Sequence, residues 1–187
     1  NIVGLKWNDN LIDKRFVEFL GTFKRLRVLS VNGCVIPKKG DFTSLLHFIA
    51  NSRTLEAFSM AGTELKRMGK QVLSVVDTLY VNRSIKSFSI DNHGCGNSLL
   101  TKLIDVLTEN RVVDSISIKK NGIDDVDLYF EFFAVLAKRG TPLFLEFPVK
   151  FFNQILQFGE LKTEDFEEMK AEYNRMVIGD KGVVLPK

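Results

Sequence analysis

A chain of 187 residues with 45% apolar and 26% charged side chains has the proportions of a folded globular protein, which excludes a disordered or collagen-like polymer. No apolar run reaches the roughly 18 to 20 residues needed to cross a bilayer, and the richest stretch, residues 72–80, is interrupted by Ser74, Asp77 and Thr78, so a membrane-spanning helix is excluded. Residues 1–80 hold 12 Lys/Arg against 7 Asp/Glu and residues 81–187 hold 14 against 16, a bias too modest to predict nucleic-acid binding, while two cysteines are too few for a disulfide framework and favour a reducing, cytoplasmic setting.

In chain order, the apolar residues fall on a recurring frame, Leu-x-x-Leu-x-Leu-x-x-Asn/Cys-x-Leu. The first copy is Ile2, Leu5, Trp7, Asn10, Ile12, and the second is Leu26, Leu29, Val31, Cys34, Ile36. The third reads Leu55, Phe58, Met60, Thr63, Leu65, and the fourth reads Ile85, Phe88, Ile90 with His93 and Cys95 in place of the usual ending. The fifth is Val113, Ile116, Ile118, Asn121, Ile123, and a shortened sixth has Pro142, Leu145 and Phe147 before Pro148. First positions are 24, 29, 30, 28 and 29 residues apart, which leaves room for a strand, a loop and a helix in each unit.

Helical spacing does occupy those gaps. Phe16, Phe19, Leu20 and Phe23 are followed by Leu45, Leu46, Phe48 and Ile49, then Val72, Val75, Val76 and Leu79, then Leu99, Leu103, Ile104 and Leu107, and finally Phe130, Phe133, Val135 and Leu136. Asp124 and Asp125 stand where the last of these helices begins, and acidic side chains there suit its N-terminal dipole. The fold class expected is therefore α/β: a solenoid with parallel strands on a concave face, helices on a convex face, and residues 1–148 forming five to six units. The first copy opens within three residues of Asn1, which predicts further units or another domain before it.

Residues 149–178 are expected to close the array. Phe151, Phe152, Ile155, Leu156 and Phe158 form an apolar segment, and a helix is predicted over 163–176 with Thr163 as N-cap and a narrow stripe of Phe166, Met169, Tyr173 and Met176. That helix is read as a cap; its alternative is a dimerisation helix. Residues 179–187, rich in Gly and Val, are expected to be a disordered tail.

Chemistry is sparse. A Ser or Cys nucleophile needs a base and an orienting group, and His47 and His93 are the only histidines. His47 sits in a helical pattern, and His93 and Cys95 lie in one turn with too few partners for a zinc site, so no metal or cofactor is predicted. The segment Gly94-Cys95-Gly96 lacks the spacing and lysine of a phosphate-binding loop, and its glycines are read as turn residues with positive φ. The expectation is a non-enzyme.

A binding face follows from strand alternation, which turns the third, fifth and seventh frame positions onto the concave surface. The fifth positions are Lys6, Ser30, Ser59, Ser89, Ser117 and Glu146; the seventh are Asn8, Asn32, Ala61, Asp91 and Lys119. Of these, Lys6, Asn8, Ser30, Asn32, Ser59, Ser89, Asp91, Ser117, Lys119 and Glu146 are the candidate partner-binding residues. Asp9, Asn92 and Lys120 follow at the rim, and a basic outer patch of Lys38, Lys39, Lys66, Arg67 and Lys70 is a second candidate surface.

The recurring frame at residues 1–148 resembles the ribonuclease-inhibitor-like leucine-rich repeats. The segments Val81-Asn82-Arg83-Ser84-Ile85-Lys86 and Thr108-Glu109-Asn110-Arg111-Val112-Val113 look like the Asn-containing helix-to-strand junctions of the cytoskeletal branch, the tropomodulins and the CARMIL linkers of actin capping protein. Residues 143–148 followed by Lys162-Thr163-Glu164-Asp165 are similar to the way the CARMIL solenoid closes before its helical dimerisation region. That resemblance implies a cytoplasmic, protein-binding scaffold of actin regulation and carries over no individual functional residue. The competing expectation is the recognition region of a larger enzyme or signalling protein.

Overall fold

The computed structural model describes residues 2–141 and 143–145, together with residues 164, 167, 168, 170 and 171. Among the described residues up to Leu145, six short strands alternate with five helices. They are β1 (Gly4–Lys6), α1 (Lys14–Gly21), β2 (Val28–Ser30), α2 (Lys39–Asn51), β3 (Ala57–Ser59), α3 (Leu73–Asp77), β4 (Ser87–Ser89), α4 (Asn97–Glu109), β5 (Ser115–Ser117), α5 (Val126–Arg139) and β6 (Phe144–Leu145). The strands form one parallel sheet in sequence order, with Leu5, Leu29, Phe58, Phe88, Ile116 and Leu145 side by side in register. Those six residues are the fourth positions of the six sequence copies, so each repeat length is absorbed outside the strand.

Apolar positions of the frame build one core between sheet and helices. Leu26, Leu55, Ile85 and Val113 are buried at the first position, Leu29, Phe58, Phe88 and Ile116 at the fourth, and Val31, Met60 and Ile90 at the sixth. At the edge strand β1 the same position behaves differently: Ile2 is 44% exposed, because no described strand lies on its outer side. Trp7 closes part of that edge by stacking on Phe16 at 4.9 Å and donating its indole N–H to the Leu11 carbonyl at 2.9 Å.

Helix starts and stops follow local chemistry. The Asp13 carboxylate caps α1 by accepting from Phe16 N, and Asp125 caps α5 by accepting from Leu128 N. Asp124 does not join that cap; its carboxylate accepts from Asn97 Nδ2 of the preceding repeat. Lys138 and Arg139 occupy the last turn of α5 and Gly140 follows in the left-handed region, a combination that satisfies terminal carbonyls and ends a helix. The third repeat has only a five-residue α3 between two 3₁₀ turns, Gly69–Val72 and Thr78–Tyr80. Val72, Val75, Val76 and Thr78 are β-branched, and the Thr78 hydroxyl, at the start of the second 3₁₀ turn, donates back to the Val75 carbonyl of α3, both of which disfavour a regular α-helix.

Three expectations about the core are corrected. Leu65 is 95% exposed, because Thr63 and Lys66 exchange backbone hydrogen bonds and place residue 65 at the tip of a tight turn. Phe19 and Phe130 are also exposed; the inward face of α5 is Tyr129, Phe132, Phe133 and Leu136. One helical step separates Phe130 from that face, and the density of aromatics in this segment makes two phases of the 3.6-residue period look equally apolar.

At the helix-to-strand junctions, Asn82 and Asn110 are buried and each serves four backbone groups. Asn82 donates to the carbonyls of Ile49 and Ser52 and accepts from Ser84 N and Ile85 N. Asn110 donates to Leu79 and Asn82 and accepts from Val112 N and Val113 N. Arg139 takes this place at the next junction, with Nε donating to the Asn110 carbonyl and Nη2 to that of Val113. Burial first, and then the neighbouring charge of Arg111, lower its pKa to about 10, while Asp114 opposes the shift.

Most of the 149–178 cap, the whole 179–187 tail, Glu146 and Phe147 lie outside the described residues. Glu164, Glu167, Glu168, Lys170 and Ala171, which are described, are helical.

Candidate functional site

The candidate site is the concave face, and its floor is built by the fifth and seventh frame positions. Lys6, Ser30, Ser59, Ser89 and Ser117 sit side by side in register across five strands. The serine hydroxyls are not idle. Asn8 Oδ1 accepts from the Ser30 hydroxyl at 2.7 Å and from Asn32 N at 3.0 Å. Asn32 Oδ1 repeats the pattern one strand on, accepting from Ser59 and from Ala61 N, both at 2.7 Å. Asp91 does so again, with Oδ1 accepting from Ser117 and from Lys119 N at 2.7 Å.

Each of these three seventh-position side chains therefore ties the hydroxyl and amide of the next strand into a ladder running across the sheet. Asn8, Asn32, Ser30, Ser59, Asp91 and Ser117 use their short side chains inside this ladder. The sequence showed the rows but not the bonding, since each partner lies 22 to 29 residues away.

One rung is missing. Position 61 is Ala, so Ser89 and the amide of Asp91 face β3 without the acceptor that Asn8, Asn32 and Asp91 provide at three other steps. The β3–β4 step is closed instead from beneath. Asn92 Nδ2 donates to the Gly62 carbonyl at 3.1 Å, and a Cβ at Gly62 would stand 2.4 Å from the Asn92 carbonyl oxygen, so only glycine fits there.

His93 completes this step from the core. It is 3% exposed, its Nδ1 accepts from Met68 N at 3.2 Å, and its Nε2 lies 2.7 Å from the Met60 carbonyl. An accepting Nδ1 fixes the neutral tautomer with Nε2–H donating. Burial holds the His93 pKa below its ordinary value, against the opposing pull of the Met60 carbonyl and Asp91. In the fifth repeat Asn121 fills the same ninth position, donating to the carbonyls of Ile90 and Ile118 and accepting from His93 N. The frame predicts that Asn10, Cys34, Thr63 and Asn121 turn inward at this position to bond backbone groups; Asn121 does so, whereas Asn10, next to edge strand β1, is exposed and donates only to the Asn8 carbonyl. Cys34 plays a lesser version, its thiol donating to the Trp7 carbonyl.

At the eighth position Asp9, Asn92 and Lys120 all have positive φ near 60°, as does Gly33. Asp, Asn and Gly adopt this region readily, and Lys120 is the residue forced into it.

The second position, just before each strand, carries a row that sequence reasoning did not single out: Arg27, Glu56, Lys86 and Asp114 alternate in sign along four neighbouring strands. Arg27 Nη2 meets Glu56 Oε2 at 2.6 Å, and this bond, with the added pull of Lys86, lowers the Glu56 pKa. The signal was available as a sign alternation at 28- to 30-residue spacing. Lys6, on edge strand β1, stands where interior strands have serine; a charge at a sheet edge opposes pairing with another chain.

The outer basic residues are less unified. Lys66 pairs with Asp9 at 3.8 Å, while Lys38, Lys39, Arg67 and Lys70 are exposed. His47 is exposed on α2 and borders an open hollow between α1 and α2 lined by Val17, Thr43, Ser44 and Phe48. Burial pushes the Cys95 thiol up to about 11, well away from a reactive thiolate. Among the described residues no three His, Cys, Asp or Glu side chains converge as a metal site would require, and no helix is long and apolar enough to cross a membrane.

No protein-family model matches the chain, and no curated protein matches it. A solved structure described as leiomodin-1 actin-binding site 2 is similar to it at 14% identity and a TM-score of 0.49, over 72% of this chain and 78% of that one. By its own strand register, repeat length and inward turn clamps, the chain is a leucine-rich-repeat solenoid.

Proposed function

We propose that this chain is a non-catalytic scaffold that binds a protein partner on its concave face. The observation that supports this reading is the missing rung at Ala61. A parallel sheet that satisfies its own surface donors between β1 and β2, β2 and β3, and β4 and β5 presents two between β3 and β4, the Ser89 hydroxyl and the Asp91 amide, where an incoming carbonyl or carboxamide oxygen can complete the pattern. Such a contact would give register to a partner lying across the strands. The row of small side chains around it lets a partner approach the sheet closely.

The finer reading, a cytoplasmic partner from the actin cytoskeleton, rests on the likeness of the Asn82 and Asn110 junctions to those of tropomodulins and CARMIL linkers. A pull-down from cell lysate with the purified chain, read by mass spectrometry, tests both levels. The wild type is expected to retain actin-associated proteins, and a Ser59→Arg/Ser89→Arg variant is expected to lose them. Recovery of none of those proteins overturns the cytoskeletal reading. Equal recovery by the double variant overturns the concave-face assignment.

A further inference from the structure

We propose that the helix-to-strand rim of the solenoid docks on an anionic membrane surface. Because the strands are parallel and in register, every helix-to-strand junction lies at the same end of its repeat. Lys24, Arg53, Arg83 and Arg111 each stand two residues before the first frame position of four successive repeats, and all four are exposed. Arg25, Arg27, Lys86 and Lys138 flank this row and are exposed as well. Among the described residues the acids on the same rim are Glu56, Glu109 and Asp114, with Asp77 and Asp105 near Tyr80; Glu56 is already held by Arg27 and Asp77 by Lys102. The opposite rim is mixed, with Lys38, Lys39 and Lys70 set against Asp124, Asp125 and Asp127.

Two of these cations are fixed in place. Arg83 Nη1 donates to the Leu79 and Asn82 carbonyls, and Arg111 Nη1 donates to that of Arg139. Neutral acceptors orient the guanidinium without cancelling its charge, so the row stays cationic. Among them stands Val81, an aliphatic residue that is 63% exposed at the end of the third helical segment.

The shape selects the partner. The cations sit on separate repeats with an exposed aliphatic side chain among them, a combination that a headgroup layer over hydrocarbon uses and an acidic polypeptide does not require. A row of cations along one end of in-register strands, with an aliphatic tip among them, matches a layer of anionic headgroups, where each basic side chain near the surface adds to the attraction. Docking by this rim would stand the solenoid on its edge and leave the concave face accessible.

Sedimentation of the full chain with vesicles tests the idea, using pure phosphatidylcholine and phosphatidylcholine mixed with phosphatidylserine. The wild type is expected to pellet with the mixed vesicles alone and to be released by salt. Reversing Lys24, Arg25, Arg53 and Lys86 to Glu is expected to weaken partitioning at least about tenfold. Reversing Lys38, Lys39, Arg67 and Lys70 to Glu changes total charge equally and is expected to leave it within about twofold. Val81→Asp, a single change at an exposed position, is expected to weaken it about threefold, and circular dichroism melting checks that each variant folds. Absence of wild-type binding, or equal loss in both charge-reversed variants, overturns the proposal. Rim-dependent binding of poly-glutamate without binding to vesicles overturns it in favour of an acidic protein partner.

Discussion

Two neighbouring steps of the sheet share a register and a frame yet are held together differently. Between β4 and β5, Asp91 reaches across the concave surface to the Ser117 hydroxyl and the Lys119 amide. Between β3 and β4 the corresponding residue is Ala61, and the bonds lie underneath, from Asn92 to the Gly62 carbonyl and through the His93 ring to Met60 and Met68. Surface bonding can thus be dropped from one step without loss of register, whereas buried polar groups at the turn must all be matched. The comparison separates what builds the solenoid from what is available to a partner.

The largest effect is expected from removing the buried clamp. His93→Ala leaves the Met60 carbonyl and the Met68 amide without partners and should cost about 2 to 4 kcal/mol in urea unfolding; an effect as small as that of a surface substitution would show that water replaces the ring freely. Acid should weaken the same step. The folded state favours neutral His93, so its contribution is complete above the ordinary pKa of 6.5 and is lost as pH falls through the lowered folded value. Stability measured from pH 7.5 downward, about one unit on either side of that window, should show this loss in the wild type and not in His93→Gln.

Asp91→Ala copies the Ala61 defect into the next step and should cost about 1 to 2 kcal/mol, because two charge-assisted bonds disappear from a half-exposed site. The reverse change, Ala61→Asn, supplies the missing acceptor to Ser89 and the Asp91 amide and should add about 0.5 to 1.5 kcal/mol. It should also weaken partner binding on the concave face, since the added oxygen occupies the place proposed for the partner's. Lys120→Gly relieves a left-handed conformation at the rim and should raise stability by at most about 1 kcal/mol, a rise in thermal midpoint without change in binding.

Much of this architecture was legible because the signal is repeated. The fourth positions from Leu5 to Leu145 emerge in register because each is fixed by apolar neighbours in its own copy and confirmed by the next. The frame failed where one copy departed from it: Leu65 fits the spacing, yet the turn closed by Thr63 and Lys66 lifts it into solvent. Phe130 failed because four aromatics in five residues, from Tyr129 to Phe133, blur the phase of a helix. On the concave face the rows were readable and their meaning was not. Ala61 stood in the seventh row as one more small residue, and only the oxygens of Asn8, Asn32 and Asp91, each bonded to groups a full repeat away, show that it is a gap. His93 looked like an irregular ninth position; its ring proves to do the work of Asn121.

The junction asparagines carry a consequence for how the chain tolerates being lengthened. Asn110 Oδ1 binds the amides two and three residues ahead, at Val112 and Val113, and Asn82 does the same at Ser84 and Ile85. Those spans set where the next strand begins, so one residue spliced into 110–113 would have to break the Asn110 contacts or shift β5 by a full side-chain alternation, while β6 would keep its own phase. The tip of the turn at Leu65 has no such duty, and a reporter peptide inserted there would lengthen a loop while leaving the sheet in phase.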